Sequence, residues 1–239
     1  MKTVLITGAS SGIGRALCIE YAKLGYKVFA GGRNRERLEI LSQSYNNVVP
    51  LVCDLTDLEM TKGASENLPA LDLLILNAGN CEYIDDPINF DAQLFERVIQ
   101  ANLLSVSNSL SVWLKLLKQG GTVAFNSSSA TFLPLPRAEA YGASKAAVSY
   151  LANTLRIDLK NKGINVSLIH PGFVETPLTE KNTFPMPSIV TAEQAALIIR
   201  KGLDKNKNEI NFPRAFIFVM KLMAYLPSAV WQKIALRMI

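Results

Sequence analysis

Cysteine and histidine are scarce in this chain of 239 residues, which contains three cysteines and one histidine. Cys18, Cys53 and Cys81 are widely spaced and odd in number, so they match neither a disulfide framework nor a C-x-x-C metal motif. We interpret each as a small buried apolar residue and expect no metal site. Cysteines that form neither disulfides nor a metal site are typical of a reducing compartment, so we predict a cytoplasmic protein.

Long apolar runs and strong charge are also missing. The apolar stretch at 4–7 is too short for the core of a signal peptide. No uncharged apolar stretch reaches the roughly 18 residues that span a bilayer. The net charge of +5 is modest and no basic stripe is interleaved with aromatic residues, so we expect no nucleic-acid partner. The 49% of hydrophobic residues instead predicts a large core.

Short apolar strands alternate with amphipathic helices along the chain. The pattern predicts strands at 2–6, 26–30, 48–52, 71–76, 122–125, 164–169 and 209–212. It predicts helices at 13–24, 35–43, 94–117, 138–162 and 191–203. Gly25, Gly120–Gly121 and Gly163 are the predicted helix stops. We expect one α/β domain over 1–239, with a doubly wound, mostly parallel Rossmann-type sheet of about seven strands and helices on both faces.

A glycine-rich turn, Thr7-Gly8-Ala9-Ser10-Ser11-Gly12-Ile13-Gly14, joins the first strand to the first helix. Glycines there let backbone N–H groups approach an anion at the helix N-terminus. The Gly-x-x-x-Gly-x-Gly spacing is not the commoner dinucleotide fingerprint, and tight turns use glycine anyway. Its position between a strand and an amphipathic helix favours a dinucleotide cofactor.

The second strand ends at Gly31-Gly32-Arg33-Asn34-Arg35. It lacks the acidic residue that binds the ribose 2′-hydroxyl in NAD-preferring folds. The guanidinium of Arg33 is suited to a 2′-phosphate, and the alternative is a solvated arginine at the start of a helix. With the glycine turn upstream, we favour the phosphate and predict NADP(H) as the cofactor.

A tyrosine and a lysine are the strongest candidates for chemistry. Tyr141 and Lys145 are four residues apart on a predicted helix and share one face, although such pairs also occur by chance. A neighbouring cation favours phenolate, so we expect the pKa of Tyr141 to lie below its ordinary value of about 10.

Three other polar residues have competing interpretations. Ser128 ends the fifth strand and can bind a substrate carbonyl, or it can cap a turn. Asn102 lies within a long apolar helix, where it orders a water, bends the helix or forms a satisfied core hydrogen bond. His170, the sole histidine, has no neighbouring nucleophile in the pattern, so we interpret it as structural.

These motifs occur in one order along the chain. They are the turn at 7–14, Asp54-Leu55, Asn77-Ala78-Gly79, Asn102, Ser128, Tyr141-x-x-x-Lys145 and Pro171-Gly172-Phe173-Val174-Glu175-Thr176. Together they resemble the short-chain dehydrogenase/reductase family in its classical form, from residue 1 to about 212. The resemblance implies hydride transfer between a nicotinamide cofactor and a hydrophobic ketone, aldehyde or secondary alcohol.

The resemblance also implies which residues contact the cofactor. Glycine-turn residues hold the pyrophosphate, Asp54 and Leu55 border the adenine, residues 77–79 brace the fourth strand and touch the adenosine ribose, and Val174 and Thr176 contact the carboxamide. The full expected set is Gly8, Ser10, Ser11, Gly12, Ile13, Gly14, Arg33, Asn34, Asp54, Leu55, Asn77, Ala78, Gly79, Tyr141, Lys145, Pro171, Gly172, Val174 and Thr176.

Catalytic roles follow from the same resemblance. Tyr141 exchanges a proton with the substrate oxygen, and Lys145 holds the nicotinamide ribose. Ser128 orients the substrate oxygen, and Asn102 supports a relay water near Lys145. Ser11 departs from the family, because many NADP(H)-preferring members have a basic residue there. The rival function is a non-catalytic NADP(H)-binding sensor, which has no need of all four polar residues.

Substrate and assembly are predicted more loosely. We expect an apolar pocket wall formed by Tyr83, Phe132, Leu133, Phe173, Leu178, Phe184 and Met186. The resemblance implies a homodimer or homotetramer built on the two long helices, with Trp113 and Leu117 contributing.

The resemblance fades over residues 213–239, a segment with no acidic residue. We expect a helical extension that Pro227 divides in two, with Ser228 capping the second helix. This extension either covers the sheet edge, the pocket or a second subunit, or lies as a basic amphipathic segment on an anionic membrane.

Overall fold

The computed structural model describes residues 1–238. Its strands are β1 Thr3–Thr7, β2 Lys27–Gly32, β3 Val48–Val52, β4 Leu71–Leu76, β5 Leu117–Asn126, β6 Asn165–Pro171, β7 Val174–Glu175, β8 Val190–Thr191 and β9 Glu209–Phe212. Seven of them form one parallel sheet in the order β3-β2-β1-β4-β5-β6-β9, and β7 pairs with β8 separately. The order reverses between β1 and β4, which opens a crevice at the carboxyl ends of the strands.

Helices cover both faces of this sheet. They are α1 Gly12–Lys23, α2 Arg35–Ser44, α3 Leu58–Gly63, α4 Ala92–Ile99, α5 Ser105–Trp113, α6 Glu139–Asp158, α7 Ala192–Leu203, α8 Arg214–Met223 and α9 Ser228–Ala235. Val4 and Ile6 of β1 pack with α1, α2 and α7, whereas Leu5 between them packs with α5 and α6 on the other face. The predicted doubly wound Rossmann-type sheet is confirmed.

The helix predicted over 94–117 is interrupted and ends earlier. A π-helical turn, Gln100–Leu104, separates α4 from α5, and a 3₁₀ turn leads directly into β5 at Leu117. Gly120–Gly121 therefore lie inside the strand, near a shift in its register with β4, and their prediction as a helix stop is wrong. The apolar periodicity hid the change because Leu117 packs into the same core as the helix before it.

Other boundaries are closer to expectation. Gly25 follows α1 with φ of +77° and is confirmed as its stop, whereas Gly163, with φ of +68°, ends the 3₁₀ turn that follows α6. α6 ends at Asp158, and a 3₁₀ turn at Lys160–Lys162 precedes Gly163. The short elements α3, β7 and β8 were not predicted, since so few residues give no clear periodicity.

Two short helices, α8 and α9, form the predicted extension. Pro227 occupies the cap position of α9 and Ser228 is its first helical residue without a side-chain cap bond, so the predicted Ser228 cap is wrong. Trp231 is buried against Leu133, and its Nε1 donates to the Pro134 carbonyl at 2.9 Å. The extension therefore covers the loop that follows β5.

The predicted subunit contact through Trp113 and Leu117 is wrong, because both side chains are buried in the core. The exposed apolar residues of α6 are instead Tyr150 and Ile157. Across residues 1–238, the structure contains no helix with the length and apolar character needed to cross a membrane.

Candidate active site

A cavity of about 810 Å³ opens at the carboxyl ends of the parallel strands. Its volume lies within the range of sites for ligands of cofactor size. Most predicted site residues line it: Gly8, Ser10, Ser11, Gly12, Ile13, Arg33, Asn34, Asp54, Leu55, Asn77, Ala78, Gly79, Ser128, Tyr141, Lys145, Pro171, Gly172, Val174 and Thr176. Gly14 and Asn102 lie behind this wall.

The glycine turn has a backbone that fits a pyrophosphate. Gly8 and Gly12 have φ of +68° and +50°, a region that side chains disfavour. A Cβ on Gly8 would lie 2.9 Å from Ala78 Cα, and one on Gly14 would collide with the Gly8 carbonyl. Gly14 therefore permits the close packing of the turn, while the turn itself presents the N-terminus of α1 to the cavity.

Hydrogen bonds made by polar side chains connect the ends of β1, β4 and β5. Thr7 Oγ1 accepts hydrogen bonds from the backbone N–H groups of Asn77 (2.8 Å) and Ala78 (3.0 Å). Asn77 Nδ2 donates to the Thr7 carbonyl at 3.0 Å, which confirms the expected bracing of β4. Asn126, which the sequence did not single out, donates from Nδ2 to Asn77 Oδ1 at 2.8 Å. Its buried Oδ1 has no partner among the described residues, so a hydroxyl-bearing ligand fits there.

Tyr141, Lys145 and Ser128 meet on one wall of the cavity. Lys145 Nζ donates to the Asn126 carbonyl at 2.9 Å and lies 5.9 Å from the centre of the Tyr141 ring. The Ser128 hydroxyl lies near enough to the phenol of Tyr141 to lower its pKa. Ser128 Oγ also accepts from Ala130 N at 3.1 Å, so its capping role is present beside the catalytic one that we expect.

Burial has the largest effect on the pKa values of Tyr141 and Lys145. Burial raises the pKa of Tyr141 above its ordinary value, neighbouring Cys81 raises it further, and the Ser128 hydroxyl opposes both. Burial lowers the pKa of Lys145 to about 8. The expected lowering of the Tyr141 pKa by Lys145 is therefore wrong for this structure, because burial of the phenolate is the largest cause of the shift and raises this pKa.

Asn102 lies in the π-helical turn and is fully buried. Its Oδ1 accepts from Asn80 N at 2.6 Å, and its Nδ2 donates to Asn80 O and Ser144 Oγ, both at 2.9 Å. The side chain is thus a satisfied core group that fixes the loop after β4 against α6. A Cβ on Gly79 would lie 2.9 Å from Asn102 Oδ1 and 3.2 Å from Lys145 Nζ, so this loop packs tightly.

The opposite end of the cavity has an exposed cation. The Arg33 side chain is 78% exposed, and its Nη1 lies 3.8 Å from Asp54 Oδ2. Burial raises the pKa of Asp54, but hydrogen bonds from Thr56 and the charge of Arg33 bring it below its ordinary value. Asn34 Oδ1 accepts from Arg37 N at 2.9 Å and caps α2. The guanidinium is placed where a phosphate can reach it.

Most residues of the predicted apolar pocket wall do not line the cavity. Of its seven residues, Leu178 is the one that lines the main cavity of the described chain. Tyr83 packs edge-on to Phe184, with ring centres 5.6 Å apart, and its Oη donates to Asn182 Oδ1 at 2.9 Å. Phe132 and Leu133 lie beneath the C-terminal helices, and the prediction of them as pocket wall is wrong.

Three charged residues that line the cavity were missed. Glu82 Oε2 pairs with Arg97 Nη2 at 3.0 Å, and both line the cavity with Lys181. None of the three follows a strand or belongs to a recognisable spacing, so no sequence signal marked them. Asn126 is different: it ends β5 two residues before Ser128, where a polar residue at a strand end is a usable signal.

The remaining candidates behave as structural residues. His170 is buried with Nδ1 3.0 Å from Asn211 Oδ1, and burial lowers its pKa to about 4, as a core histidine requires. Cys18 and Cys53 are buried as expected, whereas Cys81 is half-buried. Desolvation raises the pKa of all three thiols, which keeps them protonated.

Comparisons with known proteins agree with this geometry. The family model "short chain dehydrogenase" matches residues 2–185, and the chain belongs to this family. An uncharacterized oxidoreductase of Myxococcus xanthus is 33% identical over 250 residues, covering 99% of this chain and 97% of that protein. The chain is therefore an oxidoreductase with a Rossmann-type fold that acts on CH–OH groups and binds a nicotinamide cofactor.

Solved structures include complexes with both forms of that cofactor. A short chain dehydrogenase/reductase from Burkholderia phymatum in complex with NAD superposes with a TM-score of 0.83 at 22% identity, covering 92% of each chain. A short-chain dehydrogenase from Sphingobium yanoikuyae in complex with NADPH superposes with a TM-score of 0.78 at 25% identity, covering 96% of this chain and 98% of that one.

Proposed function

We propose that this oxidoreductase uses NADP(H) to interconvert a hydrophobic ketone or aldehyde and its alcohol. The observation that supports catalysis most directly is the meeting of Ser128, Tyr141 and Lys145 on one wall of the cavity. A regulatory protein that binds the cofactor without turnover needs the glycine turn and the other cofactor contacts, but it does not need these three side chains together. When bound, the nicotinamide supplies or accepts a hydride, and the protein supplies alignment and proton transfer.

Each polar side chain then has a defined task. Tyr141 donates its phenolic proton to the carbonyl oxygen during reduction and takes it back during oxidation. Its raised pKa keeps that proton in place at neutral pH, which suits the reductive direction. Ser128 orients the substrate oxygen, and Lys145 holds the ribose of the cofactor. Asn102 positions the loop that carries Gly79 and, as we expect, supports a relay water.

The preference for NADP(H) depends on the adenosine end of the cavity. Arg33 is exposed at its edge, and the segment Gly31–Asn34 provides no carboxylate to bind a ribose 2′-hydroxyl. An exposed guanidinium pairs with a phosphate through charge-assisted hydrogen bonds. The remaining cofactor contacts come from the glycine turn, Asp54 and Leu55, residues 77–79, and the segment from Pro171 to Thr176.

The test is loss of NADPH absorbance with a panel of ketones, aldehydes and diketones. Tyr141→Phe keeps the ring and removes the proton, so turnover should fall on the order of a thousandfold while NADPH binding is kept. Tyr45→Phe at the end of α2, outside the cavity wall, is the matched control and should be unchanged. Turnover of Tyr141→Phe within a few-fold of wild type would exclude the assignment, and NADPH binding without any turnover by wild type would favour the sensor.

We also propose a cytoplasmic homo-oligomer, either a dimer or a tetramer. Its interface would use the exposed apolar residues of α6, Tyr150 and Ile157, and neighbouring Leu104. A reducing location is consistent with three free thiols. Light scattering measures the assembly directly, and a monomer at micromolar concentration would contradict it.

A further inference from the structure

The C-terminal helices leave a large apolar surface uncovered. Phe218 is 68% exposed, Leu222 60% and Tyr225 89%. We call the following set the exposed C-terminal face: Phe218, Val219, Leu222, Tyr225, Leu226, Val230, Leu236 and Met238. Contiguous apolar surface of this kind is uncommon on monomeric proteins and marks sites of interaction.

The helical period places three of these residues on one side of α8 and the turn after it. Phe218, Leu222 and Leu226 are spaced by four residues, which places them along one face of α8 and the turn after it. Ile217 and Met220 lie on the other face and are buried, and Met220 packs with Leu133 of the loop after β5. The buried face explains how α8 packs on the rest of the protein. The exposed face on the other side requires a separate explanation.

Charge identifies the kind of partner that fits. Arg214, Lys233 and Arg237 are exposed around this face, while Lys221 pairs with Glu209 at 3.0 Å. Residues 213–239 contain no acidic residue, and their four basic side chains make up most of the net charge of +5. An exposed apolar surface accompanied by cations complements lipid acyl chains beneath anionic headgroups.

We propose that the exposed C-terminal face docks on an anionic phospholipid membrane surface. Both helices are short and would lie in the plane of the headgroups, with Phe218 and Leu222 inserted and Lys233 and Arg237 facing phosphates. A second copy of the chain fits less well. A two-fold interface pairs the same patch with itself, which would place these cations against cations with no acid in the segment to neutralise them.

α8, which carries part of the exposed C-terminal face, packs against the site wall with its opposite side. Phe216 of α8 packs against Phe173 with ring centres 5.8 Å apart, and a Cβ on Gly172, which lines the cavity, would lie 2.9 Å from the Phe216 ring. Docking would therefore hold the substrate end of the cavity close to the membrane. The docking itself does not depend on the proposed reaction.

The test is co-sedimentation of the full-length protein with vesicles of phosphatidylcholine, with and without phosphatidylglycerol. We expect binding to the anionic vesicles that high salt weakens. Phe218→Ser with Leu222→Ser should reduce the partition coefficient at least about tenfold, since each loses an inserted apolar side chain. Lys233→Ala should reduce it about fivefold. Ile88→Ser and Lys160→Ala, exposed elsewhere, are the matched controls and should bind as wild type does.

Several results would overturn the proposal. One is wild-type protein that stays in the supernatant with anionic vesicles at low salt. A second is a loss of binding in the Ile88→Ser variant as large as that in the Phe218→Ser, Leu222→Ser variant. A third is a change of oligomer size in the Phe218→Ser, Leu222→Ser variant, which would make this face a subunit interface. Thermal melting of each variant checks that the fold is kept, because all substituted residues are exposed.

Discussion

Burial acts in opposite directions on the two titratable residues of the site. It raises the pKa of Tyr141 and lowers the pKa of Lys145 to about 8, so both shifts disfavour a charge. Lys145 still has an acceptor in the Asn126 carbonyl, which binds the ammonium and limits the cost of burying it. The phenol of Tyr141 therefore keeps its proton and can donate it in the reaction. The amine of Lys145 gains or loses its proton close to neutral pH.

One exposed arginine is expected to decide between the two cofactors. Arg33→Asp should weaken NADPH binding about tenfold or more, because a charge-assisted hydrogen bond is lost and a carboxylate faces the 2′-phosphate. The affinity for NADH should stay level or improve. Titration of both cofactors by quenching of protein fluorescence gives the two dissociation constants.

Arg35→Asp is the control for that experiment. Arg35 is exposed two residues away, pairs with Glu39 at 3.6 Å and lies outside the cavity wall. Its substitution changes the net charge by the same amount without touching the site. Equal losses of NADPH affinity in both variants, or a wild-type protein that prefers NADH, would contradict the role of Arg33.

Residues that belong to short-range motifs were predictable. Tyr141 and Lys145 are fixed to each other by one helical turn, and the glycine turn is fixed by adjacent backbone. The Glu82–Arg97 pair was not predictable, because its place depends on the path of the loop after β4, whereas Asn126 carried a usable signal at the end of β5. The titration of Tyr141 could not be predicted either, since it depends on desolvation that the sequence does not specify.

Substitution of two helical glycines by alanine should change the free energy of unfolding in opposite directions. A Cβ on Gly142 of α6 meets nothing within 4 Å, so Gly142→Ala should raise the free energy of unfolding by about 0.5–1 kcal/mol. A Cβ on Gly202 of α7 would lie 2.6 Å from Ile210 Cδ1, so Gly202→Ala should lower it by about 1–3 kcal/mol. Urea unfolding measures both. Changes of the same sign would show that the packing of α7 on β9 adapts to a methyl group.

Helices and strands with one uninterrupted period were predicted close to their true bounds. The segment from α4 to β5 was not, because the π-helical turn, the 3₁₀ turn and the strand all present apolar residues to one core. Leu114 and Leu117 pack there although they belong to different elements. Periodicity reports which residues are buried, but a change of backbone conformation within a buried stretch leaves it unaltered.

The parallel sheet brings together residues that are far apart in sequence. Residues at or just after the ends of four strands line one cavity, so Gly8, Asn77, Asn126 and Pro171 meet there although they are far apart in the sequence. The order of motifs along the chain was therefore enough to predict the site once the fold was known. The direction in which the extension would pack was not predictable, since its two faces are both apolar.

We infer that residues 1–239 form one domain with 213–239 as its extension, and the two tryptophans of the chain allow a direct test. Trp113 lies in the central core and Trp231 anchors α9. In Trp231→Phe the fluorescence reports on the core, and in Trp113→Phe it reports on the extension. Within each variant, the urea transition seen by fluorescence should coincide with that seen by circular dichroism. An earlier fluorescence transition in Trp113→Phe would show that the extension unfolds as a separate unit.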